Sequence, residues 1–365
     1  MGAAAEVGDC VMALRDQEMS PVMAVRLGIL LRASVALIAR VGVPRMPLAL
    51  TLRFGILLCA SLLMIAARPA RADTYFVTVA GLGGEPDYEQ RFTELATDLD
   101  RIFKAAGASS HVVTLSGRDA TRSNLSAVMG TIAGQAKPED DFVLTLIGHG
   151  TYDGLEYKFN LVGPDISGAG LAQLCGRIAS KRQLVVNTSS ASGGSLAALA
   201  KHGRAVIAAT KSGTEKNATV FARYWVEALQ DSRADLDKND SISALEAFQY
   251  ATAKTAAFYE SQKRLATEHA VFADTGTGAA AVRVASTTSG GAGRLLSSVT
   301  LVRLGTERTA ASDPAKRSLL VKKEQLERRI DTLKLQRAAL SPQEYKQQLT
   351  ESLVALAKVQ EELEK

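Results

Sequence analysis

Phe142-Val143-Leu144-Thr145-Leu146-Ile147 runs into Gly148-His149-Gly150, and Gln183-Leu184-Val185-Val186-Asn187-Thr188 runs into Ser189-Ser190-Ala191-Ser192-Gly193-Gly194. Each is a short apolar run bounded by turn residues, the pattern of a strand buried in a parallel sheet. In an open α/β sheet, chemistry sits beyond the carboxyl ends of the strands. The two runs therefore place a histidine and small hydroxyl residues where a base and a nucleophile belong.

The surrounding segments alternate in the same way. Strands are expected at Thr74–Ala80, His111–Leu115 and Arg204–Thr210. Helices are expected at Tyr88–Ala105, Ser123–Gly134, Ser167–Ser180, Ser195–Lys201 and Ala218–Gln230, with a loop from His149 to Pro164. Phe92, Leu95, Leu99, Ile102 and Phe103 form one apolar face of the first helix. Strands joined by crossover helices imply an α/β fold, a mostly parallel sheet covered on both faces.

The paired strand ends resemble the caspase-like clan of cysteine peptidases, in particular its legumain-type and bacterial caspase-like members, over roughly residues 75–278. In that clan one strand ends in His-Gly and a later one in (Asp/Glu/Gln)-Ala-Cys-x-(Ser/Gly)-Gly. The resemblance implies His149 as the catalytic histidine and puts Ser190 where the family has its cysteine. Gly150 and Gly193 would belong to the oxyanion loops. Among the four histidines, His111, His149, His202 and His269, only His149 has the strand-end glycine bracket.

The serine changes the chemistry. A free thiol, with a pKa of about 8.5, shifts readily to a thiolate. A hydroxyl needs a base already hydrogen-bonded to it, usually oriented by a third group. Asp141, Asp153 and Asp165 flank the site as candidate orienters. The expected function is thus an exported peptidase-type domain that has lost hydrolysis and binds peptides or partners. The alternatives are a hydrolase using Ser190 and His149, and a calcium-stabilised module acting through its C-terminal hairpin.

Asp235-Leu236-Asp237-Lys238-Asn239-Asp240-Ser241-Ile242-Ser243-Ala244-Leu245-Glu246 follows the EF-hand loop pattern. Asp235, Asp237, Asn239, Ser241 and Glu246 hold ligand positions 1, 3, 5, 7 and 12. Position 6 is Asp240 instead of glycine, and the flanks are expected to be helical. The other reading is an acidic turn with Ser241 or Ser243 capping the next helix, which would run from Glu246 to about Leu265. Phe272-Ala273-Asp274-Thr275-Gly276-Thr277-Gly278 resembles the Asp-x-Gly turn that closes such domains in bacterial members of the clan; the other reading is a plain glycine turn.

Composition sets the outer limits. The 365 residues are 47% apolar and 22% charged with a net charge of +5. Basic residues are scattered and form no aromatic-lined stripe, which argues against nucleic acid. Residues 46–72 read as an export signal: Arg53, an apolar stretch from Phe54 to Ala67, and Ala70-Arg71-Ala72 before Asp73. The stretch is shorter than the roughly 20 residues that span a bilayer; the alternative is an uncleaved membrane anchor. Of Cys10, Cys59 and Cys175, only Cys175 follows that cleavage point. Its apolar helical setting marks it as a buried structural thiol.

Four regions are therefore expected: 1–72 as an N-terminal extension and signal, 73–285 as the caspase-like domain, 286–313 as a connector with one edge strand, and 314–365 as a helical hairpin. In the last region Leu319, Leu320, Leu326, Ile330, Leu333 and Leu340 recur at helical spacing, as do Tyr345, Leu349, Leu353, Leu356 and Val359. Ser341-Pro342 divides the two runs, with Pro342 suited to a first helical turn. Such a hairpin is a candidate arm for self-association.

Overall fold

The computed structural model describes residues 72–106, 110–276, 278–279, 281, 292–313 and 315–365. In chain order its elements begin β1 (Thr74–Ala80), α1 (Pro86–Lys104), β2 (Ser110–Leu115), α2 (Arg122–Gln135) and β3 (Asp141–Ile147). Three short strands follow, β4 (Gly150–Tyr152), β5 (Tyr157–Phe159) and β6 (Ile166–Ser167), then α3 (Gly168–Gly176) and β7 (Arg182–Asn187). Next come α4 (Leu196–Leu199), β8 (Arg204–Ala208), α5 (Phe221–Ala228), β9 (Ser241–Ser243), α6 (Ala244–Ser261) and β10 (Val271–Ala273). The C-terminal part holds α7 (Arg294–Ser297), β11 (Thr300–Arg303), α8 (Gly305–Ser312), α9 (Arg317–Leu335) and α10 (Pro342–Glu364).

The main sheet has the order β10-β8-β7-β3-β1-β2, parallel except for β10. The expected fold class, a mostly parallel sheet between helical layers with a C-terminal helical hairpin, is the observed one. The alternation of side chains explains why both faces are apolar. Phe76 and Ala80 of β1, Val143 and Ile147 of β3, and Leu184 and Val186 of β7 enter one core, against Leu99 and Phe103 of α1, Trp225 of α5 and Phe248 of α6. Val77 and Val79, Phe142, Leu144 and Leu146, and Val185 enter the other, with Leu125 and Met129 of α2 and Leu171 of α3. Each such large apolar side chain contributes about 1.5–3 kcal/mol by leaving water. Cys175 lies in the second core, where burial pushes its thiol up to about 11.

The structure departs from the sequence reading in four places. The segment read as a loop from His149 to Pro164 contains β4 and β5, which with β6 just beyond it form an antiparallel sheet. The expected helix to Ser180 stops at Gly176. Phe272 and Ala273, read as part of a turn, form the antiparallel edge strand β10. The run around Val299–Leu304 pairs as β11 with β9, away from the main sheet.

The Ser341–Glu344 capping box with Pro342 in the first turn starts α10, as the Ser-Pro break predicts. Ala310 of α8, Leu320 of α9, and Val359 and Leu363 of α10 form a small core of their own. Lys323 of α9 is buried and bonds Glu307 of α8, Glu327 on its own helix at 3.4 Å, and the Asn239 carbonyl at 2.7 Å. The segment read as an export signal lies, apart from Ala72, outside the described residues. Among the described residues no helix is long and apolar enough to cross a membrane.

Candidate active site

The sheet order changes direction between β1 and β3, because β2 lies beyond β1 on one side and the remaining strands extend on the other. Such a switch point opens a crevice at the carboxyl ends. Gly81, just past β1, donates its amide to the Ile147 carbonyl at 2.8 Å, which brings the β1–α1 connection against the end of β3. His149 follows directly. Its backbone carbonyl accepts from Asn160 N at 3.0 Å.

The imidazole of His149 is half-buried, edge-on to the rings of Tyr88 and Phe92 of α1, with centroids 4.7 and 5.2 Å away. Burial lowers its pKa below the ordinary histidine value, while a hydrogen bond with the Gly83 backbone and the charge of Glu85 oppose the shift. The lowering favours the uncharged ring. None of the three candidate aspartates orients it. Asp141 forms a two-pronged pair with Arg182 at the far end of the sheet. Asp153 accepts from Leu155 N and Glu156 N, and Asp165 from Leu161 N. Gly83 and Glu85, which do neighbour the ring, sit in the β1–α1 connection, and no local motif marks them.

Ser190 follows the end of β7 with only 3% of its surface exposed. Its hydroxyl is 3.1 Å from Gly150 N, which donates to it, and 3.1 Å from Gly150 O, to which it donates. No hydrogen bond joins it to the His149 ring. The close approach requires glycine: a Cβ on Gly150 would sit 2.5 Å from Ser190 O and 2.7 Å from Ser189 Oγ.

The turn that aims Ser190 is held by bonds from several elements. Ala191 adopts a left-handed φ of 56°, which costs a non-glycine residue about 1–2 kcal/mol. Its amide donates to Glu215 O at 2.8 Å. Ser192 Oγ accepts from Thr210 N, and Gly193 N donates to Thr210 Oγ1 at 2.9 Å, so the Gly193 amide is already bonded. Beneath the turn, Ser189 Oγ lies 2.6 Å from the Tyr157 hydroxyl and donates to Asn187 Oδ1 at 2.9 Å. Asn187 Nδ2 donates to Ser195 Oγ at 3.1 Å. Burial raises the Tyr157 phenol far above its usual range. Ser189 is thus a packed network residue and Ser190 the one that faces Gly150.

The acidic loop forms a second cluster. One carboxylate oxygen from each of Asp235, Asp237 and Glu246 lies within 4.8 Å of the others. Burial raises the Asp237 carboxyl, and the charge of Glu246 adds to the effect. Asp240 takes the left-handed φ of 64° that position 6 demands. Asn239 Oδ1 accepts from the amide and hydroxyl of Ser241, and Lys238 Nζ bonds Asp235 O at 2.5 Å. The exit flank is helical, but the entry flank is not: α5 ends at Ala228 and a 3-10 turn at Ser232–Ala234 leads into Asp235. Glu246 also serves the next helix, since with Ser243 it forms the capping box of α6. Three carboxylates gathered this closely, Asp237 among them with a raised pKa, suit a hard cation.

No family model matches the sequence, and no curated protein is significantly similar to it. Among solved structures, protein GSU0716 of Geobacter sulfurreducens aligns with a TM-score of 0.40 and 13% identity, over 64% of this chain and 100% of that one. The Drosophila initiator caspase Dronc aligns with a TM-score of 0.37 and 12% identity, over 57% of this chain and 81% of that one.

Proposed function

We propose that the chain carries an exported caspase-like domain whose cleft, between His149 and Ser190, binds peptide without cleaving it. One observation carries the reading: the Ser190 hydroxyl is bonded to the Gly150 backbone and to no base. A serine nucleophile needs a base in hydrogen-bond contact to take its proton. Here the hydroxyl also occupies the Gly150 amide, the donor that would otherwise face a developing oxyanion. The His149 ring, bounded by Tyr88 and Phe92, is left as an apolar wall with a polar edge.

The test is peptide-library cleavage by the purified full-length protein in calcium, with Ser190→Ala, Ser190→Cys and His149→Ala beside it. The expected result is no native cleavage and cleavage by Ser190→Cys, whose thiol can ionise without a bonded base. Native cleavage that is lost in both Ser190→Ala and His149→Ala would overturn the reading in favour of a serine hydrolase.

The acidic loop supports a second component. Asp235, Asp237, Asn239, Ser241 and Glu246 would hold a calcium ion that stiffens the entry to α6. The donor set and the raised Asp237 carboxyl favour this role. Because Lys323 bonds the Asn239 carbonyl, the same loop anchors the C-terminal hairpin.

A further inference from the structure

Tyr152 stands two residues beyond Gly150 on β4, so its side chain leaves the same face of that strand. That face is the one turned to Ser190, because a Cβ on Gly150 would meet Ser190 O at 2.5 Å. The Tyr152 ring rests on a shelf of two glycines. A Cβ on Gly194 would come within 2.8 Å of Tyr152 Cδ2, and one on Gly213 within 2.4 Å of Cγ and Cδ1. Gly193 is pressed against Ser212 N in the same seam, at 2.3 Å from its would-be Cβ. The shelf is thus the junction of two loops, the turn after Ser190 and the segment after β8.

The ring is half-buried, and its hydroxyl donates to Gly154 O at 2.9 Å in the exposed β4–β5 turn. A hydrogen bond in such a place gains little over water. Apolar contact with bare backbone therefore holds the ring down. The carboxylate of that second loop, Glu215, is committed to the amides of Lys211 and His269 and to the His269 ring. No carboxylate of that loop is thus left to face the shelf, and the two glycines, with no side chain of their own, accept the face of an aromatic ring, as they do that of Tyr152.

We infer that the Gly194–Gly213 shelf is a side-chain subsite of the Ser190 cleft, covered in the free protein by Tyr152 and taking in its place an aromatic side chain of a bound peptide. This rests on the peptide-binding reading of the cleft. An extended peptide advances about 3.3 Å per residue with side chains on alternate sides. A backbone passing Ser190 can therefore set one ring on the shelf. Tyr152 competes for that place, so affinity for an aromatic peptide is reduced by the fraction of molecules with the shelf covered.

The experiment uses the full-length protein, Tyr152→Ala, Tyr152→Phe and His149→Ala, with folding checked by circular dichroism. The first probe is p-cresol, the tyrosine side chain as a free molecule. It should raise the melting temperature of Tyr152→Ala and leave the native protein and Tyr152→Phe unchanged. The second probe is a pair of fluorescein-labelled peptides, acetyl-Ala-Ala-Phe-Ala-amide and its all-alanine counterpart, followed by anisotropy. Tyr152→Ala should bind the Phe peptide about tenfold more tightly than the native protein does, with the alanine peptide changed less than about twofold. No p-cresol effect on Tyr152→Ala, or an equal gain for both peptides, would overturn the subsite. If both peptides bind and only His149→Ala weakens them, the cleft reading survives and the subsite falls. If no variant binds either peptide, both fall.

Discussion

The Ser190 hydroxyl and the Gly150 backbone are reciprocally bonded, with Ser190 Oγ 3.1 Å from both the amide nitrogen and the carbonyl oxygen of Gly150. This ties the end of β7 to the start of β4, directly after His149. Replacing Ser190 by alanine leaves both buried backbone groups without the hydroxyl and should cost about 1–3 kcal/mol. Urea unfolding of the full chain measures it. A cost below about 0.5 kcal/mol would show that the bond is incidental, since a net hydrogen bond is worth more than that.

Tyr157 is the second support of the turn, through Ser189 and Asn187. Tyr157→Phe keeps the buried ring and removes the hydroxyl. Stability should fall by about 1–2 kcal/mol. In the Ser190→Cys background, alkylation of the new thiol by iodoacetamide should change rate, because the turn that positions it has loosened.

Lys323 is an ammonium buried among Glu307, Glu327 and the Asn239 carbonyl. Removing one partner of a buried pair typically costs about 3–5 kcal/mol, because the other charge stays behind. Lys323→Met should lose that much in thermal or urea unfolding. Amide exchange should rise both in α9 and in the acidic loop, which share this residue.

Burial raises Glu327 to about 7, against the pull of Lys323. Its folded pKa therefore exceeds its unfolded one, and the folded state holds the extra proton. The resulting stabilisation is full below pH 4.5 and is lost as pH rises through about 7. Glu327→Gln, which mimics the protonated acid, should flatten this part of the stability profile. An unchanged slope between those pH values would remove Glu327 as its source.

Calcium at 100 times its dissociation constant should stabilise the native chain by about 2.7 kcal/mol. Asp237→Asn should abolish that gain in a melting experiment with and without chelator. It should leave α6 intact, because Asp237 takes no part in the Ser243–Glu246 capping box. An equal calcium response in Asp237→Asn would sink the loop as the binding site.

Much of the architecture is legible in the sequence because it rests on local pattern. Runs such as Phe142–Ile147, with Thr145 its one polar residue, and Leu184–Val186 carry apolar side chains on both faces, which a sheet covered on both faces can bury. The strand-end positions of His149 and Ser190 follow from the same runs, and the Ser-Pro break in the hairpin marks α10. Tertiary structure alone decided the rest, since it depends on bonds between distant segments. Ala191 N to Glu215 O and Gly193 N to Thr210 Oγ1 fix the left-handed turn that points the Ser190 hydroxyl at Gly150. Gly81 N to Ile147 O sets the β1–α1 connection against the end of β3, where Gly83 neighbours the imidazole in place of any of the three aspartates. Strands as short as β4, β9 and β10 have too few residues to show a period, and they exist because a partner strand completes their hydrogen bonds.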